Sequence, residues 1–231
     1  MDRTTWLKEQ RRRAEAQDDT IYAPIYDEKW GAIDPTHQQV LHHFLGLCPP
    51  QGHILDAACG TGKYWLLILA SGRTVFGIDQ SQGMLARARA KFPDVPTGKV
   101  GLQEMDYREA FDGAFCIDAL EMVCPEDWPL VLRNLFRALK STGYVYFTVE
   151  IAAEEDIVKA FVDGRHAGLP VVYGEWAQDG GYHADWAQDG FYHYYPTIAQ
   201  VKAWMQQAGF HLIAETVGEE YHHFLAQKYE A

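Results

Sequence analysis

Apolar positions along this chain recur at helix spacing in some stretches and at strand spacing in others, and the two patterns alternate. Residues 4–17 read as a helix, which the segment from Tyr22 to Tyr26 interrupts on the way to Trp30. Asp34 and Pro35 open a second helix to about Leu47, and Pro49 and Pro50 stop it. Residues 53–57 form an apolar strand. A helix over 63–70 follows, whose Leu66, Leu67, Ile68 and Leu69 are apolar all round and so are expected to be buried, and Gly72 ends it. After a strand over 74–79, Ser81 caps a helix over 82–92 with Met84, Leu85 and Ala88 on its inner face. A weakly marked strand near 99–103, a strand over 113–118, a helix from about 125 to Lys140 and a strong strand over 144–150 complete the alternation. Thr197 then caps a helix through Gln207, Gly209 terminates it, and strands near 210–217 and 221–228 flank a short turn at Gly218, Glu219 and Glu220. Such an order predicts a doubly wound α/β sheet.

The junction after the first strand carries the chemistry. Residues 54–62 read Ile-Leu-Asp-Ala-Ala-Cys-Gly-Thr-Gly, an apolar strand ending in Asp56 and running into a turn on Gly60 and Gly62. Glycine lets such a turn fold sharply and approach a ligand closely. A dinucleotide-binding turn has a third glycine three residues on, and here that place is Trp65. The Asp56 carboxylate would repel a pyrophosphate and welcome a cation. The second strand ends in Asp79, at about the distance where such folds hydrogen-bond a ribose diol.

The pattern Asp56-x-x-x-Gly60-x-Gly62 with Asp79 resembles motifs one and two of the class I S-adenosylmethionine-dependent methyltransferases. Residues 111–123 resemble that family's fourth strand and the cofactor-facing loop after it, which puts Asp118 and Ala119 beside the ligand. Residues 139–143 resemble its turn before strand five, with Ser141 and Thr142 in place of the family's proline and first glycine, a looser turn. The resemblance implies a Rossmann-like, seven-stranded, mostly parallel sheet with an antiparallel C-terminal hairpin. It also implies S-adenosylmethionine as the cofactor and S-adenosylhomocysteine as its product. Asp56, Ala57, Gly60, Thr61 and Gly62 would then hold the amino acid end, and Asp79 and Gln80 the ribose. Ile78 and Met84 would face the adenine, with Gln103 and Glu104 at its edge.

One domain is expected, built from an N-terminal helix and cap (1–32), a cofactor-binding core (33–150), an insert (151–196) and a closing helix and hairpin (197–231). The insert holds a tandem repeat: residues 176–183, Trp-Ala-Gln-Asp-Gly-Gly-Tyr-His, return as 186–193 with one change, Gly181 to Phe191. Asp-Gly steps between aromatic residues predict a small antiparallel meander with turns near Gly180 and Gly190. Tyr182 and Tyr192 would share one face, and His183 and His193 the other. Insertions beyond the carboxyl ends of strands cover the ligand, so the insert reads as an aromatic lid, opposed by Tyr22, Tyr26 and Trp30, and Tyr22 and Tyr26 are expected against the cofactor as well. The alternative is a slipped duplication whose rings only pack on one another. For a general base the first candidates are His193 and Glu150, then Glu121 and Tyr195.

Composition narrows the partners. Of 231 residues 48% are apolar, enough for one substantial core, and 20 Lys and Arg stand against 32 Asp and Glu, a net charge of −12. That balance repels a phosphate backbone and argues against nucleic acid. The one basic cluster, Arg11, Arg12 and Arg13 with Lys8, reads as a solvated helix face. Cys48, Cys59, Cys116 and Cys124 have neither zinc nor disulfide spacing, which suits a reducing compartment. His222 and His223 are adjacent in a strand and point to opposite faces, so no metal is expected there. No leader-like apolar run opens the chain and no stretch approaches the roughly 20 apolar residues of a membrane span, so a cytoplasmic monomer or homodimer is expected. Three readings stay open: a methyltransferase acting on oxygen or nitrogen of a small molecule, a protein methyltransferase, and a cofactor-binding homologue without transfer.

Overall fold

Asp2 starts the first helix by accepting a hydrogen bond from the Thr5 amide, and the helix, α1, covers Arg3–Gln17. In this computed structural model, which describes residues 1–177 and 192–229, a π-helical turn over Asp18–Tyr22 leads on to α2, Tyr26–Trp30. Asp34 accepts from the Thr36 and His37 amides and so caps α3, Pro35–Leu47, as its sequence predicts. Then come β1 (His53–Ala57), α4 (Trp65–Ala70), β2 (Thr74–Asp79), α5 (Gln82–Lys91), β3 (Thr97–Lys99) and β4 (Phe111–Cys116). The chain continues with α6 (Trp128–Ala138), β5 (Leu139–Glu150), α7 (Glu154–His166), β6 (Glu175–Ala177) and β7 (Tyr192–Tyr194). It closes with α8 (Ile198–Ala208), β8 (Phe210–Val217) and β9 (Tyr221–Lys228).

Seven strands form one sheet in the order β3-β2-β1-β4-β5-β9-β8. The first five are parallel, and β9 and β8 are antiparallel, as the resemblance implies. Alternation along the strands sends Ile54, Phe115, Tyr146 and Leu225 to the face covered by α3, α4 and α5. Leu55, Ala114, Phe147 and Phe224 go to the face covered by α6 and α8. Strand order reverses between β1 and β4, and the crevice beyond their carboxyl ends is where such sheets take ligands.

Four local expectations change. In α4 only Trp65 and Ile68 are fully buried, while Leu66 is 69% exposed and Leu69 40%, because a six-residue helix on the sheet turns only its i, i+3 pair inward. β3 lies earlier and is shorter than expected, since the chain from Gly101 turns back through a Glu104 N–H bond to the Gly101 carbonyl. The loose turn at 139–143 is absorbed into β5 as a bulge: Leu139 pairs with Phe111, the register shifts, and Tyr144 pairs with Gly113, with Thr142 at φ 64°. The insert contains a helix that its sequence pattern did not reveal, α7, with Glu154, Glu155 and Asp156 in its first turn and Arg165 and His166 in its last, matching the helix dipole.

Of the expected meander, β6 and β7 pair antiparallel, with Trp176 opposite His193. The turns near Gly180 and Gly190, with Tyr182 and His183, lie outside the described residues. All four cysteines are free thiols. Arg12 and Arg13 pair with Glu9 on the helix surface, so most of the basic cluster is a solvated face. Among the described residues no helix is long and apolar enough to cross a membrane, and no group of acids, His and Cys could hold a metal.

Candidate functional site

The turn after β1 is held by β2. The Cys59 N–H donates to the Ile78 carbonyl at 2.8 Å, and the Gly60 N–H donates to Asp79 Oδ2 at 2.8 Å. Ala58, Gly60 and Gly62 all take left-handed conformations, with φ 66°, 51° and 77°. A Cβ on Gly62 would meet the Trp65 ring at 2.8 Å, whereas one on Gly60 would meet nothing within 4 Å. The open side of the turn is therefore at Gly60. Trp65 fills the place where a third glycine would admit a pyrophosphate, and its indole N–H donates to Asp56 Oδ2 at 2.8 Å.

Asp79 is doubly anchored, accepting from Gly60 through one oxygen and from the Ser81 N–H at 2.8 Å through the other. Next to it the N-terminal segment closes in. Asp19 Oδ1 accepts from the Ser81 hydroxyl at 2.6 Å and from the Gly83 N–H at 2.8 Å, which ties the turn after α1 to the start of α5.

These elements enclose a cavity of about 460 Å³. Asp56, Gly60, Asp79, Gln80, Met84, Gln103, Asp118, Ala119, Tyr22 and Tyr26 of the expected cofactor set line it. So do all four candidate bases, His193, Glu150, Glu121 and Tyr195. Five expected residues are outside its wall. Ala57 and Ile78 are fully buried in the sheet, and Gly62 faces Trp65. Thr61 is fully buried, its hydroxyl donating to Asp27 at 2.6 Å, and Glu104 is drawn outward by Arg11 at 2.7 Å.

The wall is acidic. Six carboxyl groups, Asp18, Asp56, Asp79, Asp118, Glu121 and Glu150, face it against the cations Arg11 and Lys63. Burial pushes the Asp56 carboxyl well up, against the pull of its Trp65 bond. Burial also raises Asp79, opposed by the Ser81 and Gly60 amides. Asp18 is pushed up to about 8, first by burial and then by the charges of Asp79 and Asp19. Glu121 is raised strongly by burial and then by Asp118 and Glu150. Asp118 itself sits in a left-handed conformation, φ 56°, beyond the end of β4, with its amide bonded to Thr148 and one oxygen accepting from the Tyr221 hydroxyl.

β7 presents His193 to this end of the cavity. Its Nδ1 lies 2.8 Å from Glu150 Oε2 and 3.2 Å from the Tyr195 hydroxyl. Trp176 lies across from Tyr195, ring centroids 6.3 Å apart. Asp18, Asp19, Lys63, Tyr64 and Trp176 were not among the expected site residues. Only Trp176, as an aromatic of the insert, carried a signal in the sequence; Asp18 and Asp19 follow a helix and belong to no motif.

Comparison with known proteins agrees with this geometry. Residues 54–143 match the model of a methyltransferase domain. A Bacillus subtilis protein named as a methyltransferase, YqeM, is 30% identical over 152 residues, covering 63% of this chain and 60% of that protein. The fold is that of the class I S-adenosylmethionine-dependent methyltransferases, and residues 54–143 are similar to their cofactor-binding domain. A second relative, the dTDP-4-amino-2,3,4,6-tetradeoxy-D-glucose N,N-dimethyltransferase of Saccharopolyspora spinosa, is 26% identical over 170 residues, 69% of this chain and 66% of that one. The matches thus span a little under two thirds of these two relatives. Among solved structures, a methyltransferase from Methanosarcina mazei superposes with TM-score 0.71 at 17% identity, over 86% of this chain and 99% of its own. The 1,6-didemethyltoxoflavin-N1-methyltransferase of Burkholderia thailandensis, with its substrate and S-adenosylhomocysteine bound, gives TM-score 0.66 at 16% identity over 100% and 92%. At these identities the structural likeness speaks for the methyltransferase fold.

Proposed function

We propose that this chain binds S-adenosylmethionine in the cavity beyond β1 and β4 and transfers its methyl group to an oxygen or nitrogen of a small-molecule acceptor. The observation that carries this reading is the open turn at Gly60 bonded to Asp79, beside a cavity walled by carboxyl groups. The donor set fits the group: left-handed glycine backbone for close approach, a strand-end carboxylate for a ribose, and negative charge for a sulfonium and an ammonium. Asp79 holds the ribose. Gly60 and its turn take the amino acid end, with Asp118 and Ala119 across from them. Met84 and Gln103 take the base. Asp56 acts from behind the turn, since its bond to Trp65 and its burial keep it from direct hold on the ligand.

When bound, the sulfonium supplies an electrophilic methyl with its leaving group built in, so the protein's work is alignment, exclusion of water and removal of a proton. Tyr22, Tyr26, Trp176 and Tyr195 wall off the acceptor end, and α1 closes the cavity through Ala14 and Gln17. Enclosure of this kind suits a small acceptor better than a protein chain. The sugar and toxoflavin-precursor enzymes among the relatives support the same reading.

Isothermal calorimetry with S-adenosylmethionine and S-adenosylhomocysteine tests the first half. A labelled-methyl screen over phenols, amines, carboxylates and peptides tests the second. Binding at micromolar concentration and label on a small molecule are expected. Absence of nucleoside binding overturns the proposal, and label on peptides alone moves the acceptor to protein.

A further inference from the structure

The acceptor end of the cavity holds more acid than a sulfonium ligand requires. Glu121 is 5% exposed, faces the cavity, and its Oε2 has no hydrogen-bond partner. Its carboxyl group meets that of Asp118, which Tyr221 also bonds, and Glu150 and His193 stand close by. Aromatic rings from three segments complete the enclosure: Tyr22 and Trp30 in edge contact at 5.9 Å, Tyr26 against Trp30 at 5.7 Å, and Trp176 with Tyr195. A buried carboxyl oxygen left without a donor is costly unless a ligand supplies one. The missing partner must bring N–H or O–H donors, and an electron-rich aromatic wall beside several acids selects a donor that is also a cation.

We infer that the acceptor is an organic amine, bound as its ammonium between Glu121 and the aromatic wall, and that Glu121 takes the proton the nitrogen must lose. The inference rests on the methyl-transfer reading above and names its substrate class. Glu121 receives one proton from the ammonium, which frees the nitrogen lone pair. The nitrogen forms a bond to the methyl carbon as the carbon–sulfur bond breaks, its electron pair staying on sulfur. The product leaves as a methylammonium, and the Glu121 proton passes to water. A carboxyl group raised by burial and by Asp118 is a stronger base than a solvated one, which suits it to an amine. A phenolate or carboxylate acceptor would instead bring negative charge against Asp118, Glu121 and Glu150 at the moment of attack.

The test compares three probes of one shape on the full chain, alone and saturated with S-adenosylhomocysteine: benzylamine, benzyl alcohol and benzoate, by calorimetry or ligand-observed NMR. Benzylamine is expected to bind at least about tenfold more tightly than benzyl alcohol, with benzoate weakest. Glu121→Gln keeps the shape and should bring benzylamine down to the level of benzyl alcohol. Glu150→Gln is the independent second variant should Glu121→Gln not fold, and should reduce the same preference. Equal binding of amine and alcohol, or a preference that survives in the substituted protein, overturns the inference. Failure of S-adenosylhomocysteine to bind overturns the cofactor reading separately, because the probe preference is also measured without it.

Discussion

Trp65→Phe removes one bond and part of a buried ring from the floor of the site. The indole is fully buried and donates to Asp56, which is itself 2% exposed. Phenylalanine keeps a ring packed on Phe92 and beneath Gly62 and Gly77, but it deprives a buried carboxyl oxygen of its donor. The lost bond costs about 1–3 kcal/mol, depending on how far the raised Asp56 carboxyl is ionised. The missing part of the indole leaves a void of roughly 40 Å³, worth about 1 kcal/mol at ~24 cal/mol per Å³. Together the change destabilises by about 2–4 kcal/mol, which for a chain of this size lowers the thermal midpoint by roughly 5–15 °C. Circular dichroism melting at neutral pH reads that shift. A double-mutant cycle with Asp56→Asn isolates the pair, with a coupling of about 1 kcal/mol or more expected. A midpoint unmoved by the substitution, or a coupling of zero, would falsify the assignment of the turn's support to this bond.

Asp79→Ala should weaken S-adenosylhomocysteine binding by about 1–3 kcal/mol, roughly 5- to 150-fold in calorimetry, and an unchanged Kd removes Asp79 from the ribose. Arg3→Ala strips the cation from Glu175, which is fully buried and also bonds Tyr192 and the Val172 amide. Urea unfolding should show a loss of about 2–4 kcal/mol, the lower side of the range for buried pairs because Arg3 is partly solvated; a loss under 1 kcal/mol, roughly, speaks against it. Burial, and then the neighbouring His37, hold His223 down at about 4, while the unfolded chain takes its proton near 6.5. The unfolded state therefore binds the extra proton first, so the contribution of His223 to stability should be constant above neutrality and fall as pH drops from about 6.5 to about 4, by up to about 3 kcal/mol. Urea midpoints across that window check the slope, which His223→Gln should flatten; the same slope in both proteins contradicts the account.

The elements that the sequence made legible are those whose signals are local. Ser81, Asp34 and Thr197 cap helices through amides two or three residues on, and Gly60 and Gly62 need left-handed backbone within their own turn. Asp79 could be placed because strand alternation and an acidic end lie together. What the sequence withheld depends on partners far along the chain. The Asp19 bond to Ser81 joins residues 62 apart, and nothing near Asp19 announces it. Trp65 announced only that a glycine was missing; that its indole would hold Asp56 depends on how α4 lies on the sheet. The exposed Leu66 and Leu69 misled for the same reason, since a run of leucines does not state which side of a short helix meets the core. Helix α7 was hidden by the repeat beside it, whose stronger pattern drew the whole insert toward strands.

The fastening of Asp19 to the start of α5, together with the hold of Arg3 on Glu175, bears on where this protein can be cut. The stretch that matches a methyltransferase domain, residues 54–143, leaves out contacts that the structure makes from both flanks. Excised, it would lose the acid that steadies α5, the β5 neighbour of β4, and the helix that roofs the cavity. Family likeness here marks a stretch of sequence, while the contacts that close the cavity come from both flanks.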